Sequence, residues 1–502
     1  MRPRTLSAWW LVPLMLFSLG TADRETSLVQ AVKKSDIPSV RALLGQHADV
    51  NIPEVDGTTA LHWAVYHNDL ETTDLLIGAG ANVAAKNRYG VAPLSMACLN
   101  GNAVLIERLL TAGANPNTVQ AGDETALMTA ARTGKAEAVK ALLAHGADVN
   151  ARESRRQQTA LMWSAAENNA AVVQVLVDAG ADLNARSKAI GAQSAQEVGD
   201  RAFTALLFAV QAGAVDAVEV LLAAGASVNE TLPDGMSALV LAIANAQYDM
   251  AAFLLDKGAD PNAAGQGWAA LHQLIWIRKP NTGLNTVSPR PRGQVDSMKL
   301  VKMLLAHGAN VNARATREPS SVWIGRTANS KIGATPFFLA AHKLDLDLMR
   351  VLLAQGADPL IPNEEESTPL MAAAGLGLNF DGAWGTVDEV TEAVRLCLEV
   401  GGDATAVNRN GDTALHGVAF TGSTGAAELL VAKGAKLDVV DSRGWTPLRI
   451  ATGVLFNSFL RTQPAVEALL RQWMQERGLS TELDEATSPV SLRNQSNATS
   501  VK

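Results

Sequence analysis

Eight histidines, two cysteines and 50 acidic residues supply the side chains able to hold a metal or move a proton. Their spacing decides whether any of them does. No His or Cys pair has metal-ligand spacing, and the chain has no Gly-x-Ser-x-Gly elbow, phosphate-cradling Gly-x-x-x-x-Gly-Lys-Ser/Thr, His-Glu-x-x-His or calcium-loop pattern. Gly375-Leu-Gly377-Leu-Asn-Phe lacks the third glycine and the preceding strand of a dinucleotide loop, and is read as a connection between helices. Paired carboxylates need a concave pocket to set their ionisation. No catalytic, cofactor-binding or metal residue is therefore assigned, and an enzyme is not expected. What remains is recognition chemistry. Trp and Arg are enriched where binding energy concentrates, and the stretch Ser320 to Asn329 carries Trp323 and Arg326. Both are candidate partner contacts, against the alternative that Trp323 folds back onto its own flank.

The elements that position such residues follow from a period. Thr59-Ala-Leu-His-Trp-Ala returns as Thr125-Ala-Leu-Met-Thr-Ala, Thr204-Ala-Leu-Leu-Phe-Ala, Thr335-Pro-Phe-Phe-Leu-Ala, Thr413-Ala-Leu-His-Gly-Val and Thr446-Pro-Leu-Arg-Ile-Ala, mostly 33 residues or a near multiple apart. A Gly that closes a second apolar run follows 21 residues after the Thr position, as in Leu142-Leu-Ala-His-Gly146 and Leu352-Leu-Ala-Gln-Gly356. Thr suits an N-cap, Pro93, Pro336, Pro369 and Pro447 fall where a first-turn proline is tolerated, and the Gly can take a left-handed C-terminal cap. The unit is helix, turn, helix, stop. Ala147 to Asn150 and its variants then supply turn-forming Asn and Asp, with Gly57, Gly90, Gly235, Gly411 or Gly444 two residues before the next Thr position. Twelve units start at Thr26, Thr59, Ala92, Thr125, Thr159, Thr204, Ser237, Ala269, Thr335, Thr368, Thr413 and Thr446.

With its Thr-Pro-Leu-His-x-Ala-like starts and its Gly-Ala-Asp-Val-Asn links, the sequence resembles the ankyrin repeat family from roughly Arg24 to Gly478. The resemblance implies an all-α repeat solenoid of about twelve stacked helix-turn-helix units linked by β-hairpin-like loops, each unit stabilised only by its neighbours. It also implies a protein-protein interaction scaffold that binds through a concave strip. That strip includes the seventh and eighth residues after each Thr position: Tyr66 and His67, Leu99 and Asn100, Arg132, Trp276, His342 and Lys343, and Phe420, with Arg88 and Tyr89 on a neighbouring loop. Trp63 and Trp163 stand where the family carries a core Leu and are expected in the core. His62, His272 and His416 are expected to hydrogen-bond within and between repeats.

Arg2, Arg4, the apolar stretch Ala8 to Leu19 and the small residues Gly20-Thr-Ala22 read as a signal peptide over residues 1–22. The apolar stretch is short of the roughly 20 residues that span a bilayer. An exported protein of bacterial type is expected, periplasmic or secreted and without stable membrane insertion after cleavage. Cleavage before Asp23 removes Arg2 and Arg4 and takes the formal charge from −8 to −10, which disfavours nucleic acid as a partner. Cys98 and Cys397 fall in the third and tenth units, too far apart for a disulfide. The array is assigned to residues 23–478, with insertions near 185–201, 277–295, 313–334, 375–387 and 455–462, and residues 479–502 to a disordered tail. The reading is a monomeric, non-enzymatic scaffold with no cofactor and a protein partner. The alternative is a secreted effector acting on a host or competitor-cell protein.

Overall fold

A hydroxyl that accepts an amide starts most of the helix pairs. The backbone N–H three residues on donates to the side chain of Thr125 (3.2 Å), Thr204 (3.3 Å), Ser237 (3.2 Å), Thr335 (3.2 Å) and Thr446 (3.2 Å). At Thr59 and Thr413 a histidine completes the cap. Nδ1 of His62 and His416 accepts the Thr backbone N–H at 3.2 and 3.0 Å, and Nε2 faces a carbonyl of the next repeat, Val91 at 3.0 Å and Trp445 at 3.2 Å. This network assigns the imidazole proton to Nε2. His272 does the same, with Nε2 3.1 Å from the Ala313 carbonyl.

The computed structural model describes residues 27–188, 202–279, 293–317, 330–376, 385–456 and 459–483. The signal peptide, Trp323 and Arg326, most of the five insertions and the tail beyond residue 483 lie outside the described residues. The described chain forms two compact units, one ending at Pro233 and one beginning at Asp234.

The first unit holds six pairs: α1 (Leu28–Lys33) with α2 (Ile37–Gly45), α3 (Ala60–Tyr66) with α4 (Leu70–Gly78), α5 (Pro93–Asn100) with α6 (Ala103–Thr111), α7 (Ala126–Thr133) with α8 (Ala136–Ala144), α9 (Ala160–Ala166) with α10 (Ala170–Asp178), and α11 (Ala205–Ala212) with α12 (Val215–Ala223). First helices pack in the order α1, α3, α5, α7, α9, α11, and second helices from α2 to α12 likewise. The second unit repeats the plan with α13 (Ala238–Ala244) and α14 (Tyr248–Asp256), α15 (Ala270–Arg278) and α16 (Ser297–Ala306), α17 (Pro336–His342) and α18 (Leu346–Ala354), α19 (Pro369–Ala373) and α20 (Val387–Glu399), α21 (Ala414–Thr421) and α22 (Thr424–Ala432), and α23 (Pro447–Thr452) and α24 (Pro464–Glu476). The architecture is an all-α repeat solenoid. One departure is β1 (Val454–Phe456) and β2 (Phe459–Arg461), an antiparallel pair in the last insertion with Val454 opposite Arg461. The last pair closes at Gly478, whose φ is +68°, eleven residues past the regular place.

Small residues let the first helices approach. Ala64, Ala97, Ala130, Ala209, Ala242, Ala340 and Ala373 occupy one register and are wholly buried. The second helices contribute Leu109, Leu142, Leu176, Leu221, Leu254, Leu304 and Leu352, each at most 1% exposed and each stabilising the stack by about 2 kcal/mol. Cys98 and Cys397 are free and buried in the same layers, and burial pushes the Cys397 thiol up to about 12.

The links between repeats rest on two further devices. Two residues before the Thr position the backbone is left-handed, at Gly57 (φ +85°), Gly90 (+75°), Gly411 (+79°) and Gly444 (+80°), but also at Asp123, Gln157 and Glu366, where a side chain is carried in that region. The Asn of the link clamps the next repeat. Asn150 donates to the Gly180 carbonyl at 3.3 Å and accepts from the Asp182 N–H at 2.8 Å, and Asn51, Asn117, Asn262 and Asn312 make the same two bonds.

Candidate functional site

From the second to the sixth repeat, all in the first unit, the fifth residue of each signature, counting the Thr position as the first, falls on the outer side of its helix. These residues are Trp63 on α3, Met96 on α5, Thr129 on α7, Trp163 on α9 and Phe208 on α11, and all but Thr129 are half-buried. The expectation that Trp63 and Trp163 are core is corrected. Ala at the sixth position already fills the gap between first helices, so the indoles lie against the flanking surface and meet charged side chains there. Trp63 Nε1 donates to Glu54 Oε2 at 2.8 Å, and Lys33 Nζ lies 4.4 Å from the indole centroid while pairing with Glu54 at 2.8 Å. The Arg132 guanidinium lies 5.1 Å from the Trp163 ring and 3.7 Å from Glu124.

The residues expected on the strip in this unit come together around these indoles. Tyr66 is 58% exposed and meets Trp63 edge-on with centroids 5.7 Å apart. His67 is exposed and stacks on Trp63 at 6.0 Å. Asn100 donates to the Val65 carbonyl at 3.0 Å, which ties α5 to the end of α3, and Leu99 beside it is 60% exposed. On the neighbouring link, Arg88 donates to the Tyr89 hydroxyl at 2.6 Å, and its backbone N–H reaches the Asp56 carbonyl at 2.8 Å. On the two links joined by that contact, Tyr89 is 55% exposed and Val55 is wholly exposed.

The second unit treats its strip residues differently. Trp276 and Phe420 are half-buried, and His342 and Lys343 are 3% and 2% exposed. The expectation that His342 and Lys343 lie open is corrected, and Lys279, which follows α15, holds Lys343 in place. The Lys279 carbonyl accepts from Lys343 Nζ at 3.0 Å, while Lys279 Nζ donates to the Leu344 carbonyl at 2.9 Å and to Glu389 at 3.2 Å, so Lys279 sits against the end of α17. Lys343 Nζ also lies 4.5 Å from the Trp276 centroid. Burial, reinforced by the Lys331 charge, brings the Lys343 ammonium down to about 6, and burial holds His342 well below the usual imidazole range.

Glu54 and Lys33 escaped the sequence reading although both organise the Trp63 surface. Glu54 stands five residues before its Thr position, and that register carries a buried or half-buried polar side chain again at Asn87, Asn363, Asn408 and Asp441. Among the described residues no group of three or more His, Cys, Asp or Glu side chains could hold a metal ion. No described helix is long and apolar enough to cross a membrane.

Comparison with known proteins agrees with this geometry. The family description "Ankyrin repeats (3 copies)" matches residues 11–87, 28–120, 94–187, 190–265 and 387–472, and "Ankyrin repeat" matches residues 332–364. Ankyrin repeat and SOCS box protein 16 of Homo sapiens is 29% identical over 243 residues, which cover 42% of this chain and 46% of that protein. E3 ubiquitin-protein ligase KEG of Arabidopsis thaliana is 26% identical over 264 residues, covering 49% of this chain and 15% of the ligase. Putative ankyrin repeat protein YahD of Escherichia coli (strain K12) is 27% identical over 192 residues, 34% of this chain and 89% of its own. The chain thus spans less than half the length of the first two relatives. With helix pairs, caps and link residues in register across both units, the chain belongs to the ankyrin repeat family.

Proposed function

We propose that this chain is an exported, non-catalytic scaffold that holds a protein partner on the first-helix face and link tips of its first unit. The observation that carries the reading is where apolar surface stays open. Val55, Tyr66, Tyr89 and Leu99, on adjacent repeats and their links, are all more than half exposed. Large apolar side chains clustered on an exposed face mark interaction surfaces. Tyr and Trp also give contact area at low entropic cost. The relatives support a binding role through their repeats. The ligase named among them is matched over 15% of its length, and its activity is not proposed for this chain. Export rests on the charged and apolar pattern of residues 1–22.

The test is affinity capture with the chain from Asp23 to Lys502 in the extracytoplasmic fraction of its own organism. A stoichiometric protein partner that survives moderate salt is expected. Recovery of the native chain from the cytoplasm alone would remove the export reading, and the absence of any stoichiometric protein would remove the scaffold reading.

A further inference from the structure

One link in the first unit is wider than the regular ones by a single residue. In the links that begin at Glu54, Asn87, Gln120, Asn363, Asn408 and Asp441, the first residue donates its N–H to the carbonyl four residues on, whereas Glu153 donates to Gln158, five residues on. The interval from Thr125 to Thr159 is correspondingly 34 residues rather than 33. The added residue makes a wider tip, closed by Gln157 at φ +56°. It is built around the Glu153 carboxylate, which is 6% exposed and accepts from the N–H groups of Arg155 (2.6 Å), Arg156 (2.7 Å) and Gln158 (3.0 Å). The one carboxylate of the tip is therefore turned inward onto the backbone and forms no ion pair with the guanidinium groups beside it.

Arg152, Arg155 and Arg156 are exposed, and so is Lys188 on the next link, whose N–H donates to the Arg156 carbonyl at 2.6 Å. Arg152 donates to the Arg186 carbonyl at 2.8 Å. Among the described residues no carboxylate pairs with any of the four. On the other side Ser154 donates to the Gly122 carbonyl at 2.9 Å, which brings the exposed Asp123 near, and the four cations still outnumber Glu153 and Asp123.

We infer that this tip docks an acidic polypeptide segment of the protein partner. The inference rests on the scaffold reading and names the chemistry of the ligand. Guanidinium forks take carboxylates bidentately, and four cations on two adjacent links suit a short run of carboxylates. The neighbouring link carries Glu124 toward Arg132 and Trp163, so a polypeptide leaving the tip meets aromatic surface as well as charge. A nucleic acid is disfavoured. A long polyanion experiences the chain's formal charge of −8, whereas a short acidic segment senses mainly charges within a Debye length of about 8 Å.

The experiment is a fluorescence anisotropy titration of the full chain with a labelled twelve-residue peptide of repeating Glu-Glu-Leu-Gly. The same peptide with Gln for Glu and a twelve-nucleotide single-stranded DNA serve as comparison probes. The Glu peptide is expected to bind and to weaken with salt, and the Gln peptide to bind at least tenfold more weakly. Arg155→Glu with Arg156→Glu should lose at least tenfold, while Arg350→Glu, an exposed site on α18, should lose less than twofold. Thermal melts of both variants, expected to match the unsubstituted chain, show that folding is intact. No binding of the Glu peptide, equal binding of the Gln peptide, tighter binding of the DNA, or an equal loss in Arg350→Glu would each overturn the inference. A captured partner whose affinity depends on Tyr66, Tyr89 and Leu99 but not on Arg155 and Arg156 would overturn it while leaving the scaffold reading intact.

Discussion

Lys343, on the strip, is 2% exposed, and its burial has a consequence for pH. Its folded pKa, about 6, is far below the ordinary 10.5. Between those values the unfolded chain binds a proton that the folded chain does not, so stability rises with pH across that window and is lost as pH falls toward 6. His272 works in the same direction lower down. Burial holds its imidazole at about 4 against an ordinary 6.5, so its contribution is present above 6.5 and disappears as pH falls to 4. Lys343→Met, which keeps the packing and removes the charge, should raise stability at pH 7 by on the order of 2 kcal/mol and flatten the dependence above pH 6. His272→Asn should lower stability at pH 8 yet flatten the window from 6.5 to 4, which is worth on the order of 3 kcal/mol. Denaturant titrations of the three proteins from pH 4 to 9 check both, and parallel pH profiles would contradict the burial of these groups.

At the scale of the repeat, the clamp made by the link asparagine connects each unit to its neighbour with two hydrogen bonds in a solvent-exposed place. Asn150→Ala removes both bonds to Gly180 and Asp182 and should cost about 1–2 kcal/mol. Substituting Ala84, which stands at the equivalent place in the second link, with Gly should leave the melt within about 1 kcal/mol; equal losses at the two positions would show that the asparagine clamps nothing. This element shows what a sequence reading reaches. The Thr caps, the closing glycines and the twelve starts repeat at fixed intervals, and local chemistry alone requires them. The link Asn is equally regular, but turn propensity explains it well enough to hide its bridging role. Trp63 and Trp163 read as core because their position carries core residues in the family, whereas here Lys33, Glu54 and Arg132 give the indoles polar company. The exposed Tyr66, His67 and Leu99 were legible from their offset. His342 and Lys343 shared that offset and were not, because the bond that ties Lys343 to Lys279 crosses from the preceding repeat.

For the molecule as a whole, stability comes from nearest-neighbour packing within each unit, and the proposed recognition uses side chains the stack does not need. Tyr66, Tyr89 and Leu99 can therefore be removed with little effect on the fold. The most direct measurement is the affinity of the captured partner for the intact chain and for Tyr66→Ala/Tyr89→Ala/Leu99→Ala, by isothermal titration calorimetry, with helical melts of both. The scaffold account predicts at least a tenfold loss, about 1.4 kcal/mol, with superimposable melts. Equal affinity for the two proteins would show that the partner is not held on this face.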